Sequence, residues 1–144
     1  MLSLVDRVAN RLRNRVRTRR WHHDLASGRR GEDLTHRYLW RHGFTHRRAH
    51  YRPQTSAGEI DLIAWESERL VFIEVKSRAT AEFGTPDRAV DPEKQIFLER
   101  AAREYARRAG VEWSRTRFDI VSVLLTFSAQ IELLRDAFGA NRRL

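Results

Sequence analysis

Residues 59–78 read EIDLIAWESERLVFIEVKSR, and this stretch decides the fold. Two runs rich in β-branched and aromatic residues, EIDLIAW and LVFIEVK, are separated by Glu66, Ser67, Glu68 and Arg69, which predicts two strands joined as a hairpin. With the turn centred between Ser67 and Glu68, facing residues have numbers that sum to 135. Trp65 then faces Leu70, Ile63 faces Phe72, Asp61 faces Glu74 and Glu59 faces Lys76. Because side chains alternate along a strand, all eight share one face. The other face carries Ile60, Leu62, Ala64, Val71, Ile73 and Val75, entirely apolar. Both faces are therefore expected to be covered, with acids gathered at one end of a buried sheet.

Outward from the hairpin, FTHRRAHYR (44–52) reads as an edge strand ended by Pro53. Before it, Leu34, Tyr38 and Leu39 fall at helical spacing and Gly43 stops the run, predicting a helix over 28–42. After the hairpin, SRATAEFGTPDRAVDP (77–92) has the Gly and Pro of a long loop. Residues 93–110 place Ile96, Phe97, Ala101, Tyr105 and Ala109 on one helical stripe that ends at Gly110. RFDIVSVLL (117–125) reads as a buried strand and QIELLRD (130–136) as a second, short one. The expected architecture is a mixed α/β sheet flanked by helices, as one domain over 27–144 preceded by a basic arm or frayed helix over 1–26.

Composition narrows the function. The 144 residues carry 28 Lys and Arg against 19 acids, a net charge of +9, and the isoelectric point is near 11.2. Residues 1–52 hold 14 Arg against four acids, whereas the remainder is close to neutral. The first partner to expect for such a chain is a polyanion, nucleic acid ahead of an acidic membrane. Of the basic residues only Lys76 and Lys94 are lysines, so an ammonium stands where the guanidinium otherwise preferred by this chain is replaced. Cysteine is absent, which excludes disulfides, thiolate metal sites and cysteine nucleophiles. No apolar run is long enough to span a bilayer, and the N-terminus lacks a signal-peptide core, so the expected address is cytoplasmic.

The facing carboxylates of Asp61 and Glu74 are costly. Two unit charges about 5 Å apart repel by roughly 3 kcal/mol at an effective dielectric near 20, more than the ~1 kcal/mol a favourable cross-strand pair contributes. Lys76 neutralises one charge, and with Glu59 present the cluster is still acidic. A divalent cation bound by hard oxygens, Mg²⁺ or Mn²⁺, is the natural compensator. The plain alternative is a Lys76 to Glu74 salt bridge with Asp61 protonated or turned to solvent.

An Asp brought opposite Glu by a hairpin, with Lys two residues beyond the Glu, resembles the constellation of the PD-(D/E)XK nuclease superfamily; here Ile60 stands in the position often held by Pro. The motifs GRRGEDLTHRYLWRHGF, GEIDLIAWESERLVFIEVKSR, FGTPDRAVDPEKQ and RFDIVSV, in that order, are similar to the bacterial YraN-type family of presumed endonucleases, and through it to archaeal Holliday junction resolvases. The resemblance implies a restriction-endonuclease-like core, Asp61 and Glu74 as metal ligands, Lys76 as the catalytic lysine and Glu32 as a further acid. Thr35 and His50 depart from the family pattern, Ala and Asn being usual there, and both are expected to lie away from the metal site.

The expected chemistry is Mg²⁺- or Mn²⁺-dependent hydrolysis of DNA phosphodiesters. Asp61, Glu74 and the Val75 carbonyl would hold the ion, Lys76 would act on the attacking water, and Glu32 would serve a second metal or its water shell, or simply offset a helix dipole. Arg29, Arg30, Arg52, Arg78, Lys94 and Gln95 are candidate phosphate contacts. Selectivity for branched DNA is expected because nothing resembles a base-reading module, and junction resolution would need a homodimer. The rivals are a nuclease fold that binds DNA without cutting, and a basic-arm module for RNA or acidic protein.

Overall fold

The computed structural model describes residues 28–54, 58–78 and 90–139. The basic arm, most of the 77–92 loop and the chain end lie outside the described residues. Helix α1 covers 28–41 and stops at Gly43, whose φ of 86° is a conformation that glycine adopts without penalty. Strands β1 (Phe44–Tyr51), β2 (Ile60–Glu66) and β3 (Arg69–Arg78) follow, then helix α2 (Pro92–Ala109) and strands β4 (Thr116–Leu124) and β5 (Gln130–Phe138). The five strands form one mixed sheet in chain order. Successive pairs are antiparallel except β3 and β4, which run parallel. A parallel pair cannot be closed by a tight turn, and α2 makes the crossover. This is the mixed α/β architecture expected, consistent with a restriction-endonuclease-like core.

The hairpin has the register that its turn demands: Trp65 faces Leu70, Ile63 faces Phe72 and Leu62 faces Ile73. Its two faces feed separate cores. Ile63, Leu70 and Phe72 pack with Leu98, Ala101, Ala102 and Ala106 of α2, while Leu62, Ala64, Val71 and Ile73 pack with Leu39 of α1. Burial of both faces explains why these strands read as near-continuous apolar runs. Ile60 departs from strict alternation and joins the α2 core, just where the regular β2 to β3 ladder has ended at Leu62.

Helix α2 begins at Pro92 after Asp91, whose side chain accepts from the Glu93 N–H, and ends at Gly110 in the left-handed region. These are standard start and stop chemistries. The buried stripe is rotated from the expected one. Leu98, Ala101, Ala102 and Ala106 are buried, with Phe97 and Tyr105 beside them, whereas Ile96 is 55% exposed and Ala109 is exposed. Several helical faces of this segment carry apolar residues, and only packing against β2 and β3 selects among them.

Candidate metal and phosphate site

Strands β2 and β3 diverge where the acids sit. Leu62 and Ile73 are the last regular pair, so Asp61 and Glu74 come next on facing strands. The next β3 amide aimed at β2, that of Val75, donates instead to Asp61 Oδ2 at 2.8 Å. A carboxylate has replaced the backbone acceptor. Two glycines support this end of the sheet. A Cβ at Gly31 would lie 1.8 Å from Ser77 Oγ and 2.9 Å from Ser77 Cβ, so α1 lies against β3 only because position 31 has no side chain. Gly58 has φ of 118°, and a Cβ there would meet the Phe97 ring at 2.6 Å, which packs the entry to β2 against α2.

Glu74 is only 6% exposed. Its Oε1 accepts from Lys94 Nζ in the first turn of α2. Its Oε2 is buried and has no hydrogen-bond partner among the described residues. Burial, reinforced by the Glu74 charge, pushes Asp61 up to about 7, against the opposing Val75 N–H and Lys94. Lys76 follows Glu74 by two residues and so shares its face.

Glu32, on α1, is held by His50 Nε2 at 2.9 Å. His50 Nδ1 meets Glu59 Oε1 at 2.7 Å, and Arg52 Nε donates to Glu59 Oε2 at 3.2 Å. Hydrogen bonding to Glu59 raises the His50 pKa. Burial would push Glu59 up, but its bonds to His50 and Arg52 prevail and lower it. Burial also raises Glu32, outweighing the attraction of His50. The expectation that His50 stands away from the acids is corrected: in the β1 to β2 register it falls between Ala49, opposite Leu62, and Tyr51, opposite Ile60, hence across from Asp61. That register depends on an irregularity between His46 and Arg48, which no motif in the sequence announces. Thr35, the other departure, is fully buried and donates to the Gly31 carbonyl at 2.8 Å.

The remaining candidates are scattered by comparison. Arg29 and Arg30 are exposed on α1. Arg52 is 78% exposed while bonded to Glu59, and Arg78 ends β3 half-buried. Gln95 uses its side-chain amide to bond the Val90 carbonyl at 2.8 Å, securing the start of α2. Among the described residues no three His, Cys, Asp or Glu side chains converge as a ready metal cage; the pair is Asp61 and Glu74, with Glu32 drawn to His50. Nor is any described helix long and apolar enough to cross a membrane.

A profile of the uncharacterised protein family UPF0102 matches residues 31–123, a span that contains Glu32, Asp61, Glu74, Lys76 and Lys94. A UPF0102 protein of Solibacter usitatus is 49% identical over 96% of this chain and 100% of its own length. The chain belongs to UPF0102. This is the YraN family that the motifs resemble. Other UPF0102 proteins are similarly covered: one from Rhodococcus opacus is 43% identical over 81% of this chain and 98% of its own, and one from Dictyoglomus thermophilum is 38% identical over 77% and 95%. The UPF0102 match thus spans α1 through most of β4 and takes in both helices that flank the carboxylate pair.

Proposed function

We propose that this UPF0102 chain is a divalent-metal-dependent endonuclease that hydrolyses DNA phosphodiester bonds and selects branched or junction DNA. The observation that carries the reading is the Asp61 and Glu74 pair on diverging strands, with one Glu74 oxygen buried and without a partner among the described residues and Lys76 two residues on. A buried orphan carboxylate oxygen is uncommon and costly, and a cation bound by hard oxygen donors would satisfy it.

Asp61, Glu74 and the Val75 carbonyl would hold Mg²⁺ or Mn²⁺, which supplies Lewis-acid polarisation of a phosphoryl oxygen and a water of lowered pKa. The chain's own groups do the rest. Lys76 presents a compact ammonium on the Glu74 face, suited to orient the attacking water or to offset charge growing on phosphorus. Lys94 holds Glu74 through Oε1, and the exposed Arg29 and Arg30 offer positive charge to the DNA backbone near the N-terminal part of α1. Selectivity for branched DNA is the reading for a sequence in which nothing resembles a base-reading module, and resolution of a junction would need two copies of the chain.

The test is nicking of branched and linear DNA with and without Mg²⁺. Asp61→Asn, Glu74→Gln and Lys76→Ala each lower cleavage by about 100-fold or more while DNA binding persists. Binding without cleavage of any substrate by the wild type would instead establish a silent nuclease fold, a reading favoured by the closure of Lys94 on Glu74. Competition between DNA and RNA at several salt concentrations separates the substrate classes.

A further inference from the structure

His50, the penultimate residue of β1, has φ of 50°, a left-handed conformation uncommon outside glycine. The surroundings here are two carboxylates. One ring nitrogen lies 2.9 Å from Glu32 and the other 2.7 Å from Glu59. The ring thus spans two carboxylates, one at each nitrogen. Glu59 is fixed in turn by Arg52 on its second oxygen. The resulting chain of Arg52, Glu59, His50 and Glu32 ties the entry of β2 through β1 to α1, directly across the ladder from Asp61.

That tie holds an acid from α1 next to this cluster. Glu32 carries the same charge as Glu59, Asp61 and Glu74, and like charges at close range drive a mobile side chain outward. The glycine contact at Gly31 places the α1 backbone; it does not orient the carboxylate one residue later. We propose that His50 is a positioning residue, whose ring spans Glu32 and Glu59 and fixes the Glu32 carboxylate beside Asp61 as the outer acid that orders the water around the Asp61 and Glu74 oxygens. This role rests on the metal-dependent reading above and names a residue for it outside the Asp, Glu and Lys set.

The experiment is calorimetric titration of the full chain with Mn²⁺, across a cycle of His50→Asn, Glu32→Gln and the double variant, with Asp61→Asn as reference. Asn tolerates the left-handed backbone but is too short to reach both carboxylates. The expected result is that His50→Asn and Glu32→Gln each weaken Mn²⁺ binding by about 10-fold, that the double variant is no weaker than either, and that Asp61→Asn abolishes binding. Thermal unfolding of each variant verifies that it is folded. Wild-type affinity in His50→Asn, or a double variant whose loss is the product of the two single losses, overturns the positioning role and leaves the metal reading intact. Should His50→Asn fail to fold, Glu32→Gln keeps His50 and its backbone in place, and unchanged affinity there overturns the role. A wild-type chain that binds no Mn²⁺ overturns the metal reading and this role together.

Discussion

Two carboxylate networks border the β2 to β3 hairpin, one reaching its turn and one at its open end, and they treat buried acids in opposite ways. In the network that reaches the turn through Glu66, Asp119 lies on β4 opposite Ile73, is fully buried and has both oxygens bonded: Arg117 donates to each at 2.7 Å, and the Asp136 N–H adds a third bond at 3.0 Å. Arg117 continues to Glu66 at 2.8 Å, which Arg135 holds from its other side at 2.7 Å. Burial still raises Asp119, partly offset by Arg117. At the open end, Asp61 faces a second carboxylate, Glu74 has one oxygen without a partner among the described residues, and Lys94 bonds the other oxygen. A satisfied network rigidifies a fold, whereas an unsatisfied one is tolerated where something else is meant to complete it. Residue type does not separate the two ends; the count of donors does.

Four measurements break or sharpen that contrast. The largest effect is expected at the satisfied end, where Arg117→Ala strips Asp119 of its buried counter-charge and lowers stability by about 3–5 kcal/mol in chemical denaturation, with metal affinity of the folded fraction unchanged. If the loss is under about 1 kcal/mol, that end is not the anchor described here.

The next concerns pH at the open end. Asp61 is raised to about 7 from 3.8, so between these values the folded chain binds more protons than the unfolded chain, and stability falls as pH rises through that window. The cost is full above about 7 and absent below about 3.8. Without metal, Asp61→Asn should therefore raise Tm by several degrees at pH 8 and by less at pH 5, and Mg²⁺ should raise the wild-type Tm at pH 8 but not that of the variant. Equal Tm changes at both pH values would contradict the assignment.

A smaller loss, about 1–3 kcal/mol, is expected for Gly31→Ala, because the added methyl meets Ser77 Cβ at 2.9 Å and rotation of the Ser77 hydroxyl cannot relieve it. Pairing it with Ser77→Gly should recover part of the loss; no recovery would place the clash elsewhere. The smallest change belongs to Arg135→Ala. This side chain is half exposed, and exposed pairs contribute about 0–1 kcal/mol, so denaturation midpoints should barely move.

The open end was also the more legible in the sequence. Alternation and a two-residue turn, both local properties, put Asp61, Glu74 and Lys76 on one face, and the observed register agrees as far as Leu62 and Ile73. In the other network, Arg117 and Asp119 are two residues apart in one strand, whereas Glu66 and Arg135 join them through contacts 51 and 69 residues apart in the chain. His50 and Lys94 make contacts that the sequence does not announce. One faces Asp61 because of an irregular pairing in an edge strand. The other reaches Glu74 because α2 packs back over β3. Neither relation has a period or a spacing from which it could be read.

What the amino-acid order determined by itself was every element whose cause lies within a few residues: the two helices with their glycine stops, the hairpin and its register, and the acidic end of its inner face. Which apolar stripe of α2 is buried, which cation meets Glu74, and which side chain bridges Glu32 to Glu59 were decided only when distant segments packed together. Periodicity states which residues share a face, but electrostatic partnership is set by through-space distance, and that distance exists only in the folded chain.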